Sequence, residues 1–150
     1  MANTYVALYY HLVFSTKDRI AYLSPQIEHR VWSYVGGVAK THGVSPLQIG
    51  GCDDHIHALV SAPATLSLSQ IVQRLKGESS KWIHETFPEL HEFAWQQGYG
   101  AFTVSKSLLP AVTQYILEQR LHHAHGDFQN EFRALLAKHG VEFDERYLWG

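Results

Sequence analysis

Ser45-Pro46-Leu47-Gln48-Ile49-Gly50-Gly51 and His55-Ile56-His57-Ala58-Leu59-Val60-Ser61-Ala62 stand on either side of Cys52-Asp53-Asp54. Two short strand-like segments joined by a small, acidic tripeptide read as a β-hairpin. Pro63 ends the second strand, because proline has no N–H to give to a ladder. Outward from the hairpin, on both sides, the apolar period changes from two to that of a helix. Upstream, Ser24-Pro25 has the form of an N-cap with proline at the first helical position. Ile27, Val31, Tyr34, Val35 and Val38 then recur at helical spacing up to the stop signal Lys40-Thr41-His42-Gly43. Downstream, a helix from about Ser67 carries Leu68, Ile71, Val72, Leu75, Trp82 and Ile83 on one stripe. Gly77 lies inside that helix at a cost in stability, which predicts that another backbone comes close there.

Beyond each helix lies one more strand. Tyr5 to Phe14 is rich in β-branched and aromatic residues and puts Val6, Leu8, Tyr10, Leu12 and Phe14 on one face. After a break at Pro88, Tyr99 to Ser105 is the fourth strand. The order β-α-β-β-α-β predicts an α+β fold with a ferredoxin-like split βαβ antiparallel sheet. Further helices follow, the first over Leu108 to His123 with Leu109, Val112 and Ile116 as its core stripe. The second, capped by Asp127, carries Phe128, Phe132, Leu135 and Leu136 and stops at Lys138-His139-Gly140. The chain of 150 residues, 45% hydrophobic, has material for a single domain, residues 1–150, with about 127–150 as a C-terminal appendage.

The single Cys52 excludes an internal disulfide. The first residues lack the basic and apolar regions of a signal peptide, and no apolar run reaches membrane-spanning length. A soluble, cytoplasmic protein without membrane association is expected. The formal net charge of −2 and pI near 6.6 exclude the global basicity of a protein that coats nucleic acid, so DNA contact must rest on a local patch. Lys17, Arg19, Arg74, Lys76, Lys81, Lys106 and Arg120 fall near the segments that carry chemistry and could track phosphates. Each is equally readable as a solvated surface charge.

His55-Ile56-His57 in a strand projects both imidazoles from one face and Ile56, with Ala58 and Val60, from the other. Two neutral imidazoles so placed can chelate one cation, and Asp53 and Asp54 favour it electrostatically. Alone, a His-x-His pair is also what two exposed sheet histidines look like. Tyr115 and Gln119 are one helical turn apart beside the core stripe, where a phenol can act as nucleophile and an amide oxygen as a third metal ligand. Alone, Tyr115 reads as well as a half-buried ring whose hydroxyl reaches water.

The ordered set is more specific than its parts. With Tyr10-His11-Leu12-Val13-Phe14-Ser15-Thr16-Lys17, Asp54-His55-Ile56-His57, Lys81-Trp82-Ile83-His84, Trp95-Gln96-Gln97-Gly98-Tyr99-Gly100-Ala101-Phe102 and Asp144-Glu145-Arg146-Tyr147-Leu148-Trp149, the chain resembles the single-tyrosine HUH transposases of bacterial insertion sequences almost end to end. The resemblance implies an active site with Tyr115 as catalytic nucleophile, His55, His57 and Gln119 as metal ligands, and magnesium or manganese as the ion. It implies cutting and rejoining of single-stranded DNA at hairpin-marked ends through a 5′-phosphotyrosine. It also implies a homodimer whose sheets join, the tyrosine helix of one subunit completing the histidine site of the other. The principal rival is a hairpin-binding relative that does not cut, which needs a basic groove but not Tyr115. An oxygenase using the histidine pair is disfavoured by the α+β order, and a two-motif phosphodiesterase by the lack of a second His-x-Ser/Thr pair in a strand.

Overall fold

The computed structural model describes residues 3–124 and 126–150; Met1 and Ala2, at the start of the stretch read above for a leader, lie outside them. Four strands, β1 (Tyr9–Ser15), β2 (Ser45–Cys52), β3 (His55–Ser61) and β4 (Gly100–Thr103), alternate with α1 (Glu28–Thr41) and α2 (Leu68–Thr86). They form one antiparallel sheet in the order β2-β3-β1-β4. This is the split βαβ arrangement that the element order predicts. Three helices follow, α3 (Leu109–Leu117), α4 (Gln119–His123) and α5 (Phe128–Lys138).

Strand alternation divides the molecule into two layers of different chemistry. Leu12 and Phe14 of β1 and Ile56, Ala58 and Val60 of β3 point to one face, where they meet Val31 and Val35 of α1 and Ile71, Leu75 and Ile83 of α2 in the main core. These are the apolar stripes expected from the sequence. The opposite face takes the intervening residues and is covered by the C-terminal helices, with Val13 and Phe102 packed against Phe128, Phe132 and Leu136.

The element ends show what periodicity omits. β1 begins at Tyr9, not Tyr5, because its register with β3 starts at Tyr9 opposite Ser61 and Pro63 follows soon after; Tyr5 is 91% exposed. Ser24-Pro25 makes a turn before α1, with the Ser24 carbonyl accepting from Ile27 and Glu28 N–H. Ser67 does cap α2, in a reciprocal box with Gln70. Gly77 corrects the reading above, since among the described residues a Cβ there would meet nothing within 4 Å beyond its own helix backbone. The close approaches are at strand glycines. A Cβ on Gly50 would lie 2.9 Å from the Ile116 carbonyl oxygen, and one on Gly100 would lie 2.5 Å from the Phe132 ring. Glycine at these positions lets α3 rest on β2 and α5 rest on β4.

Candidate functional site

His55 and His57 occupy alternate positions of β3 and point away from Ile56 and Ala58, into the layer beneath the C-terminal helices, where both are fully buried. The helix expected over Leu108 to His123 breaks at Glu118 (φ −96°, ψ 18°), so Tyr115 lies near the end of α3 and Gln119 opens α4. The one-turn relation survives the break, since Glu118 N–H still donates to the Gln114 carbonyl at 3.1 Å. Gln119 is buried, and its Oε1 faces His55 Nε2 at 2.7 Å.

Each histidine is fixed from behind. His55 Nδ1 is 2.8 Å from the Asp54 carboxylate, and His57 Nδ1 is 2.7 Å from His11 Nε2 on the neighbouring strand β1. A third partner, which the sequence reading missed, closes the front. Glu131 of α5 accepts from the Tyr115 hydroxyl, from Gln119 Nε2 at 3.0 Å, from His57 Nε2 at 3.1 Å and from His123 Nε2 at 3.2 Å. It could have been found: Glu131 falls three residues after Phe128 and four before Leu135, inside the stripe assigned to the core. A carboxylate on a buried stripe is seldom left without a partner.

The electrostatics follow from burial around one carboxylate. Burial alone would raise the Glu131 pKa, but hydrogen bonds from His123 and His57 hold it far below the usual carboxylate range. Burial, then the Glu131 charge, pushes the Tyr115 phenol well above its ordinary value. Burial lowers both His11 and His57, and Glu131 raises His123. At neutral pH the resting cluster therefore holds an ionised Glu131, a protonated Tyr115 and neutral His11 and His57.

The donor set suits a divalent cation. One ligand atom each from His55, His57 and Glu131 lies within 4.8 Å of the others, and the Gln119 oxygen faces the same point. A neutral imidazole has a single N–H; if Asp54 takes it at His55 Nδ1, the Nε2 lone pair confronts the Gln119 oxygen, an arrangement that a cation between them satisfies. Imidazole nitrogens with amide and carboxylate oxygens form a mixed set acceptable to magnesium or manganese and to softer ions. Glu131 lies with His55, His57 and Gln119, the ligands expected from the sequence.

The seven cations do not form one patch. Lys76 gives its ammonium to the carbonyls of Gln96, Gln97 and Gly98 at 2.8, 3.1 and 2.6 Å, and burial lowers its pKa to about 8. Arg120 pairs with Glu28 at 2.6 Å and Asp53 at 2.9 Å. Arg19 lies over the Trp149 ring, 5.1 Å from its centroid. Arg74 and Lys81 are exposed on α2, across the sheet from the histidines, while Lys17 and Lys106 are exposed beyond the ends of β1 and β4.

Comparison with known proteins gives the family and the fold. The family described as Transposase IS200 like matches residues 4–119. The transposase for insertion sequence element IS200 of Salmonella typhimurium is 32% identical over 125 residues, covering 79% of this chain and 81% of that one. A crystal structure described as a transposase from Deinococcus radiodurans R1 superposes with a TM-score of 0.66 at 26% identity, covering 79% of this chain and 96% of the other. A REP-associated tyrosine transposase bound to a REP hairpin shares the fold, with a TM-score of 0.59 at 13% identity over 82% of this chain and 73% of that one. Among the described residues no helix is long and apolar enough to cross a membrane. With the family match spanning most of the sequence and the Salmonella relative covering four-fifths of it, this chain belongs to the IS200-like transposase family.

Proposed function

We propose that this transposase cuts and rejoins single-stranded DNA at hairpin-marked element ends, with Tyr115 as nucleophile and His55, His57 and Gln119, joined by Glu131, as ligands of magnesium or manganese. The observation that carries the reading is the convergence of Tyr115, Gln119 and both histidines on a single partly buried carboxylate, Glu131, with His55 Nε2 at 3.5 Å and His57 Nε2 at 3.1 Å from its Oε1. A bound divalent ion would polarise the scissile phosphate and offset the charge that develops on it. The Tyr115 oxygen attacks phosphorus, the bond from phosphorus to the 3′ oxygen of the upstream nucleotide breaks, and that oxygen takes up a proton, leaving a 5′-phosphotyrosine and a free 3′-hydroxyl. The phenol proton has an acceptor in place at Glu131 Oε2. Because the phenol is raised and the carboxylate lowered, that proton stays on Tyr115 until substrate alters the balance. The covalent link conserves bond energy, so a second 3′-hydroxyl can reverse the step without ATP.

His11 and Asp54 orient the two histidines, and this kind of outer support fixes which ring nitrogen faces a ligand. Within the single chain Tyr115 already lies beside the histidines, and in a dimer the same residues could be shared between subunits. A homodimer remains the proposed assembly, with the edge strand β4 as the surface available for joining sheets, and the cytoplasm, where element DNA resides, is its proposed compartment.

The test uses single-stranded DNA from the flanks of the gene with magnesium. Wild type should give a denaturant-resistant protein–DNA adduct. Tyr115→Phe should keep its melting temperature and its binding in chelator and give none. An adduct with Tyr115→Phe would assign the nucleophile elsewhere.

A further inference from the structure

We propose that the cavity bounded by α3, α5 and β4 receives one unpaired nucleobase next to the phosphate that Tyr115 attacks, and thereby takes part in choosing the cleavage site. The inference rests on the reading of Tyr115 as nucleophile. The cavity encloses about 260 Å³, and Tyr115, Leu135 and Lys138 line both it and an adjoining open cleft of about 440 Å³ that contains Glu131 and His123. Tyr115 thus stands at the junction of the two spaces. A strand whose phosphate lies against Tyr115 and Glu131 has this cavity as the neighbouring enclosed volume.

The lining matches a base in shape and in polarity. Phe102 and His11 from the sheet, Val112 of α3 and Leu135 of α5 supply apolar and aromatic surface for the faces of a ring, and stacking on such surface is largely indifferent to base identity. Hydrogen-bonding groups lie at the rim. The His139 ring stacks on Phe102 with centroids 4.4 Å apart, and its Nδ1–H donates to the Leu135 carbonyl at 2.8 Å. Its Nε2 reaches the rim as a second polar atom, while the Lys138 ammonium is a donor and a counter-charge for the strand. The enclosed volume is below the roughly 300–1,000 Å³ of ordinary small-molecule pockets, which suits a single base and not a base pair. Single-stranded substrate supplies such a base without the cost of unpairing a duplex.

The experiment first locates the cleaved phosphate by adduct formation on flanking single-stranded DNA with magnesium. Oligonucleotides made abasic at successive positions on both sides of that phosphate are then compared on wild type and Ala111→Trp. Ala111 is an exposed residue of α3 that lines the cavity, so its indole plugs the cavity from the outer side; Ala111→Met repeats the test with a smaller plug. Binding is measured in chelator, adduct rate in magnesium, and folding by melting. One abasic position should weaken wild-type binding by roughly 5- to 100-fold. Ala111→Trp should show a similar loss on the intact strand and no further loss at that position. An abasic profile that is flat in wild type, or normal binding by a folded Ala111→Trp, overturns the base pocket while leaving the nucleophile reading in place. Conversion of a dimer to a monomer by Ala111→Trp would assign the cavity to a second copy and overturn it too. Absence of any wild-type adduct removes the nucleophile reading, and this inference with it.

Discussion

Replacing Gly50 by Ala tests whether the contact between β2 and α3 places Tyr115, the proposed nucleophile. The new Cβ would sit 2.9 Å from both the Ile116 carbonyl oxygen and its Cγ2, whereas ordinary contact begins at 3.4 Å. The carbonyl belongs to the helix backbone and cannot rotate aside, so α3 must withdraw by at least roughly 0.5 Å to restore contact. Tyr115 precedes Ile116, and its oxygen moves with it. Misplacement of a reacting group by about 1 Å can cost on the order of 100-fold in rate, so half of that predicts about a tenfold loss. Overpacking should also cost about 1–3 kcal/mol of stability. Gly37→Ala is the control: it lies inside α1 with no atom within 4 Å of the added Cβ, and should gain about 0.5–1 kcal/mol from helix propensity. Single-turnover adduct formation at saturating DNA and magnesium gives the rate, binding in chelator gives the affinity, and urea unfolding gives the stability. The expected pattern is a slower adduct, unchanged binding and reduced stability for Gly50→Ala, with none of these losses for Gly37→Ala. A Gly50→Ala variant that loses stability but forms adduct at the wild-type rate would refute the claim that this contact positions Tyr115.

Three other outcomes are expected. His11→Phe keeps a ring beside His57 but removes its hydrogen-bond partner, and should lower manganese affinity about 10- to 100-fold by titration calorimetry; unchanged affinity would remove His11 from the supporting shell. Glu131→Gln should bring the Tyr115 phenol down toward its ordinary value, read as the ultraviolet titration difference from Tyr115→Phe in the same background. The same variant tests linkage: the raised His123 stabilises fully below its unfolded value of about 6.5 and loses this as pH rises through its folded value, while the depressed Glu131 stabilises above about 4.5 and loses this as pH falls. The stability gap between wild type and Glu131→Gln should therefore be widest between those two pH values, and urea midpoints that differ equally at all pH would deny the His123–Glu131 pair. Light scattering at micromolar concentration should report a dimer, and a monomer would leave the β4 edge without its proposed role.

The sheet and its two main helices are legible because burial on one face imposes a period that the sequence must carry. Leu12, Phe14, Ile56, Ala58 and Val60 alternate, and Ile71, Leu75 and Ile83 recur at helical spacing. That His55, His57, Tyr115 and Gln119 come together is legible for a related reason, since alternate strand positions and a one-turn helical relation both leave a local spacing. Glu131 leaves none, because it is 74 positions from His57 in the chain and meets it only after α5 folds back over the sheet. His11 shows the same limit in a shorter form. It reads as one more strand residue until the register of β1 with β3 brings its ring to His57 Nδ1.

The glycines and the cations extend the point from geometry to energy. Gly77 attracts attention because glycine is costly inside a helix, yet nothing approaches it; Gly50 and Gly100, unremarked in strands, permit the helix contacts that bring Tyr115 and Glu131 to the histidines. A cation is similarly ambiguous until its partner is known. Lys76 and Arg120 both read as phosphate contacts, but the ammonium ties down the Gln96–Gly98 backbone and the guanidinium joins Glu28 to Asp53 beside the histidine hairpin. With those charges satisfied inside the chain, electrostatic attraction for DNA near the site falls to fewer groups than the sequence count implies. Affinity that is weak in general charge must then be supplied by directed contacts at the cleft, which is where Lys138, His122 and His123 stand.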